Sequence, residues 1–216
     1  MTDRDLLDEQ IAYYRARAAE YDATSTPEGD PFAAHAEAIR ERLAGLLAGR
    51  VLELAAGTGQ WTGLLADHAD ELLVTDASPE MLDLNRTKVG ERPHVRFQLA
   101  DAMALPAAST YDVVFFGFFL SHVPPRRFGE FWGSLGPLLA PGGRVVFVDE
   151  GRHALWREDW IDEEAGIVRR ALSDGTVHRA VKVLWAATDL EARLRSLGWT
   201  ASVHDEGPFY LGVASK

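Results

Sequence analysis

Val51-Leu52-Glu53-Leu54-Ala55-Ala56-Gly57-Thr58-Gly59-Gln60-Trp61-Thr62 is the stretch whose reading decides the fold. Residues 50–54 form a short apolar strand, which runs straight into two glycines, and residues 59–69 then read as a helix. Glycines at such a turn let the backbone approach a ligand where any Cβ would clash. The start of the helix offers unpaired N–H groups to a negative group. Taken alone, the G-x-G spacing is served equally well by a tight strand-to-helix turn with no ligand.

Outward from this turn the same alternation continues. Strands are expected at 72–75, 95–99, 111–116 and 144–149, and helices at 79–89 and 126–139. Ser78 reads as the N-cap of the 79–89 helix with Pro79 in its first turn. Pro141-Gly142-Gly143 stops the 126–139 helix. The run 111–116 is almost wholly apolar, as a strand buried on both faces requires. This β-α-β order specifies a parallel sheet with helices on both faces.

Upstream, residues 1–22 read as a helix carrying Leu6, Leu7, Ile11, Tyr14, Ala18 and Tyr21 at helical spacing. A loop at 24–31 leads to a helix at 32–47 that ends near Gly49. Downstream, 167–172 and 177–185 flank Ser173-Asp174-Gly175, a hairpin turn. A helix follows, with Thr188 as N-cap, and then strands at 200–205 and 209–214 joined by Glu206-Gly207-Pro208. A closing hairpin cannot add a parallel strand without a crossover, so an antiparallel edge strand is expected. The expected fold class is α/β: a Rossmann-like, mostly parallel seven-stranded sheet. One domain spans 1–216, with an N-terminal helical cap (1–48), a cofactor-binding core (49–150), an inserted cover with a hairpin (151–187), and a C-terminal helix and edge strands (188–216).

Composition fits one soluble domain: 216 residues, 47% hydrophobic and 25% charged. The formal charge of −11 repels a phosphate backbone, so no nucleic-acid partner is expected. The absence of cysteine excludes disulfides, Cys nucleophiles, Cys-ligated zinc and iron–sulfur clusters. Residues 1–10 are acidic and polar, unlike a signal segment. The longest apolar run, 113–120, is far short of the roughly 20 residues of a membrane span. The expectation is a cytoplasmic protein without a membrane partner, monomeric or homodimeric.

Two acids sharpen the turn into a nucleoside site. Asp76 ends the second strand beside the glycine loop, where a carboxylate can accept both hydroxyls of a ribose. Asp101, after the third strand, can meet an exocyclic amine on a base. Each acid alone reads as a solvated loop residue; the ordered set of three strand ends is what points to a ligand. A dinucleotide fold wants G-x-G-x-x-G, but Thr62 holds the third position and Gly63 comes one residue late. Glu53 also stands where those folds keep an apolar residue. A ligand with a ribose, an adenine and a compact zwitterionic tail fits better.

As a set, Glu53-Leu-Ala-Ala-Gly-Thr-Gly59, Thr75-Asp-Ala-Ser78, Ala100-Asp-Ala102, Tyr111-Asp-Val-Val-Phe-Phe116 and 138–150 resemble the class I S-adenosylmethionine-dependent methyltransferases. The resemblance covers 13–216, and Tyr13-Tyr14 through Tyr21-Asp22 is similar to the entry helix of small-molecule members. It implies S-adenosylmethionine (SAM) as cofactor and S-adenosylhomocysteine (SAH) as product. It implies that Glu53 and the loop Ala55, Gly57, Gly59 hold the methionine part, and that Asp76 binds the ribose with Ala77 and Met81 alongside. Asp101, Ala102 and Met103 would surround the adenine, Phe116 and Gly117 would lie under the sulfonium, and Tyr13, Tyr14 and Tyr21 would close over the cofactor. The tyrosines read equally as a packing stripe.

Within that resemblance, residues 116–119 lack the N/D-P-P-Y/F of enzymes that methylate base amines, and lack the acid of metal-dependent catechol enzymes. No metal is expected. His122 is the candidate general base for an acceptor O–H, with a histidine bonded to backbone as the alternative. Phe118, His153 and Trp156 are candidate substrate contacts. Arg169, Arg170 and Arg179 on the hairpin either face an anionic or oxygen-rich substrate or protect an exposed strand edge. The reading is methyl transfer to an oxygen of a small-molecule acceptor. The competing readings are a nucleic-acid (tRNA) methyltransferase, a nicotinamide oxidoreductase and a catalytically silent cofactor-binding protein.

Overall fold

The computed structural model describes residues 3–25, 32–105 and 109–216; the side chains of Asp3 and Trp156 lie outside that description, as does most of the loop expected at 24–31. The chain opens with α1 (Asp3–Arg17), a 3₁₀ turn (Ala18–Glu20) and α2 (Tyr21–Ser25), so the single helix expected at 1–22 is broken. After the break, the exposed Asp22 accepts from Thr58 Oγ1 at 2.5 Å and from Lys88 Nζ at 2.6 Å. α3 (Ala33–Ala44) precedes β1 (Arg50–Glu53). α4 (Thr62–His68) starts three residues later than expected, because Gly57 and Gly59 take φ of +55° and +89° and prolong the loop.

β2 (Glu71–Asp76), α5 (Pro79–Val89), β3 (Val95–Leu99) and β4 (Tyr111–Gly117) follow. Ser78 caps α5 as expected, its side chain accepting the Met81 N–H at 3.2 Å. α6 (Phe128–Leu135) ends earlier than expected: Pro137 sits in a 3₁₀ turn, and the chain is already extended at Leu139. β5 (Leu139–Glu150) therefore absorbs Pro141-Gly142-Gly143. β6 (Trp160–Asp162), β7 (Ile167–Ala171) and β8 (Val177–Val181) form a separate antiparallel sheet. α7 (Ala187–Ser196) is capped by Ala186 without a side-chain bond, so Thr188 lies inside its first turn and is not the N-cap. β9 (Thr200–Glu206) and β10 (Phe209–Ser215) close the chain.

The main sheet has seven strands in the order β3-β2-β1-β4-β5-β10-β9. The first five are mutually parallel, and the final hairpin supplies the antiparallel pairing at the edge. The reversed strand is β10, one position in, with β9 outermost. Alternation along the central strands feeds two cores. Val114, Phe116, Val145 and Phe147 point to the side covered by α6 and α7. Val113, Phe115, Val146 and Val148 point to the side of α3, α4 and α5. Both cores hold the strands rigidly, so the C-terminal ends of β1, β2 and β4 form a fixed rim. Among the described residues no helix is long and apolar enough to cross a membrane.

Candidate active site

The glycine loop is pinned at its start from both sides. Leu54 N–H donates to Phe115 O at 2.8 Å and Ala56 N–H to Thr75 O at 3.0 Å. Ala55 then takes φ +49°, a left-handed conformation that costs a non-glycine residue about 1 kcal/mol or more. A Cβ on Gly57 would meet nothing within 4 Å, so that glycine is favoured by its φ of +55° and not by packing. A Cβ on Gly59 would stand 2.5 Å from Asn85 Oδ1. Gly59 thus serves packing of the loop on α5, with Asn85 donating to Thr62 Oγ1 at 2.9 Å.

Asp76 closes the loop from the end of β2. Its Oδ2 accepts the Gly57 N–H and its Oδ1 the Ser78 N–H, both at 2.8 Å. Burial raises its pKa above the usual carboxylate value, opposed by these N–H groups and that of Ala77. The carboxylate keeps a lone pair for a ligand hydroxyl. Asp101 is exposed, and its Oδ1 accepts the Met103 N–H at 2.8 Å, folding Ala102 and Met103 into a turn. Glu53 is buried beneath the loop with Oε2 unpartnered; burial pushes its pKa up to about 8, against a hydrogen bond from Thr62.

Loop and acids open on a cavity of about 590 Å³. Ala55, Gly57, Asp76, Ala77, Met81, Asp101, Ala102, Met103 and Gly117 line it from the core, and Tyr14, Tyr21 and Gln10 from the N-terminal segment. Phe118 and His122 close the side that follows β4. A Cβ on Gly117 would stand 2.3 Å from Trp61 Nε1, so only glycine lets the indole lie against the strand end. Phe118 takes φ +55°, and its ring lies between Trp61 and Phe209, 5.9 and 5.5 Å away. No sequence signal announced that conformation.

A second cavity of about 800 Å³ shares Tyr14, Tyr21, Gln60, Phe118 and His122 with the first. At this junction His122 Nδ1 lies 2.7 Å from Val181 O, and Nε2 lies 2.9 Å from Tyr14 Oη. A carbonyl only accepts, so Nδ1 carries the proton and Nε2 accepts from the tyrosine hydroxyl. Burial, with Lys182, Arg170 and Arg17 adding, pushes the imidazole pKa well below its usual value. His122 is therefore neutral. Behind it, Lys182 Nζ meets Glu150 Oε2 at 2.6 Å and Ser121 Oγ at 3.2 Å, while Asp149 Oδ2 accepts the Ser121 N–H at 2.8 Å.

Five expected contacts are placed elsewhere. Tyr13 is buried against Tyr14 and His178 and lines only the second cavity, because neighbouring positions on a helix face different ways. Phe116 points into the α6 core, stacked on Phe147 at 5.6 Å, because strand alternation turns it from the site. Glu53 and Gly59 lie behind the loop and not on the cavity wall. His153 is exposed in the 3₁₀ segment Arg152–Arg157 and lines neither cavity. The side chain of Trp156 lies outside the described residues. Arg169 and Arg170 line the second cavity, whereas Arg179 pairs with Glu9 at 2.6 Å. Sequence reasoning missed Gln10, Arg17, Arg40 and Lys182. The available signals were a polar residue inside the apolar stripe of α1 and a lone lysine in the run 180–184.

Comparison with known proteins gives the same class. A family model described as a methyltransferase domain matches residues 51–143. The structure is similar to that of a DhpI–SAH complex, with TM-score 0.86 and 40% identity, covering 99% of this chain and 98% of that one. A DhpI–SAM–HEP complex matches with the same TM-score and identity over 100% of both chains. Demethylmenaquinone methyltransferase of Deinococcus radiodurans is 36% identical over 109 residues, 46% of this chain and 42% of that enzyme. The chain spans about half the length of most curated relatives it matches. It belongs to the class I SAM-dependent methyltransferase family. It is accordingly an enzyme whose cofactor is SAM and whose cofactor product is SAH. The residues present suit that cofactor: an acid with lone pairs to spare at the end of β2 and a loop without a side chain at Gly57.

Proposed function

We propose that the chain methylates an oxygen of a small-molecule acceptor seated in the second cavity. The observation that carries this reading is the junction: Tyr14, Phe118 and His122 belong to the walls of both cavities. SAM, when bound, supplies an electrophilic methyl group on a sulfonium. The chain's part is to hold the acceptor oxygen in line and to exclude water, which can contribute roughly 7–11 kcal/mol in the best intramolecular models. Tyr14 and Tyr21 close the cofactor side; Phe118, held in its left-handed conformation, walls the acceptor side.

In this reading His122 serves as the base. Its Nε2 lone pair is spoken for by the Tyr14 hydroxyl, so an acceptor hydroxyl reaches it by replacing that hydrogen bond or through Tyr14 itself. The depressed imidazole pKa keeps Nε2 unprotonated through neutral pH, at the cost of basicity. His122→Ala should lower kcat by about 10²–10⁴ with SAH affinity within a few-fold. Near-wild-type turnover in that variant would remove His122 as base. The whole reading is tested by calorimetry with SAH. Asp76→Ala should weaken SAH binding at least tenfold, because the ribose-facing carboxylate is lost; unchanged affinity means Asp76 is misassigned. A small acceptor is favoured over a nucleic acid by the formal charge of −11. The similarity to demethylmenaquinone methyltransferases and to a DhpI complex containing HEP supports the same choice.

A further inference from the structure

The second cavity carries a pattern of charge that methyl transfer alone does not require. Six cationic side chains line it: Arg17, Arg40, Arg157, Arg169, Arg170 and Lys182. Four are matched by carboxylates of the chain. Glu150 serves Lys182 at 2.6 Å and Arg157 at 3.7 Å, Asp159 serves Arg169 at 3.4 Å, and Glu158 serves Arg170 at 2.6 Å. Arg17 and Arg40 form no ion pair among the described residues. Two further acids line the cavity without meeting them at that distance. Glu20 is turned to the Ser173 N–H at 3.3 Å, and Glu37 is exposed one turn before Arg40.

Both guanidiniums are instead stacked. Arg17 lies 4.7 Å from the centre of the Tyr21 ring and donates to Thr24 Oγ1 at 2.8 Å. Arg40 lies 4.7 Å from the centre of the Trp61 ring and donates to the Gln60 carbonyl at 2.7 Å. A guanidinium has five N–H donors in a planar fork, more than these contacts use. Both side chains are half-buried, and a cation withdrawn from water without a counterion is costly unless something else supplies negative charge. Burial indeed pulls the Arg40 pKa below its usual value, and the nearby Glu37 opposes this only in part. A molecule of net charge −11 offers no long-range attraction to an anion, so recognition must be local. Tyr21 and Gln60, the immediate partners of the two arginines, line both cavities and place this pair beside the transfer junction.

We infer that Arg17 and Arg40 recognise an oxyanion of the acceptor, a carboxylate or a phosphoryl group, and hence that the acceptor is a small organic acid. The inference rests on the acceptor occupying the second cavity, as proposed above. Calorimetric titration of the SAH-loaded protein with inorganic phosphate and, separately, with acetate tests it. Saturable binding of at least one anion is expected, and the tighter arm identifies the kind of oxyanion. Arg17→Gln and Arg40→Gln should each weaken that binding at least fivefold while SAH affinity, which reports folding, stays within twofold. Three results would overturn it: no saturable binding of either anion to the wild type, unchanged binding in both variants, or a loss confined to Lys182→Met and Arg170→Gln. If SAH itself fails to bind the wild type, the methyl-transfer reading falls, and the same titrations of the ligand-free protein still decide the role of the arginine pair.

Discussion

Glu53 shows what a single residue costs here. The folded protein holds its carboxyl protonated up to about pH 8, whereas the unfolded chain releases that proton near the ordinary value of 4.5. Between these values folding takes up a proton, so this group's contribution to stability is full below 4.5 and is lost as pH rises toward 8. Glu53→Gln keeps the shape and removes the ionisation. The ligand-free variant should therefore gain Tm over the wild type at pH 8 and differ little at pH 5, read from thermal melts across that range. Parallel profiles would show that Glu53 ionises freely. Glu53 and Gly59 were legible as members of a motif, yet their work lies behind the loop, against Thr62 and Asn85. Spacing names the residues of a turn and does not say which faces the ligand and which faces the adjacent helix. Gln10 and Lys182 were illegible for a different reason. Their partners lie far along the chain, in contacts separated by 112 and 32 residues, which no local pattern encodes.

At the scale of elements, α1 is latched to β8 by two devices of unequal strength. Glu9 accepts from the Arg179 backbone N–H at 2.7 Å and from its guanidinium at 2.6 Å. The neighbouring Gln10 accepts the Val181 N–H at 2.9 Å and donates to the His122 carbonyl at 3.3 Å. The Arg179 side chain is 41% exposed, so solvent screens that pair and Arg179→Gln should cost little. Gln10 is buried, and Gln10→Leu strands two backbone groups, which should cost about 1–3 kcal/mol. Urea denaturation of both variants checks the order; a larger loss for Arg179→Gln would reverse it. The main-sheet strands were legible because buried parallel strands leave unbroken apolar runs between turn residues. β6 was not, since three residues carry no period. Helix lengths were overread where a local conformation intervened: the left-handed glycines before α4, the proline after α6, and the 3₁₀ turn that follows α1.

For the whole molecule, the latch means that the first cavity has walls from two bodies. Its floor is the rigid rim of the seven-stranded sheet, and its cover is α1, which is tied through Gln10 to the 3₁₀ turn 120–122 and to β8. A ligand touching both should stabilise both. At SAH concentrations about 100 times Kd, binding to the folded state alone is worth about 2.7 kcal/mol. In a chain of this size that corresponds to a Tm increase of roughly 5–11 °C. Asp76→Ala should lose most of that increase at the same concentration. Hydrogen exchange locates the effect: amides of residues 4–14 and 177–183 should slow together with those of 55–58 when SAH is added. Slowing confined to 55–58 would mean that α1 does not close on the cofactor, and that the two cavities report on separate events. Joint slowing would mean that cofactor binding organises the wall carrying His122, Val181 and Lys182, so that an acceptor arriving second meets a site already set.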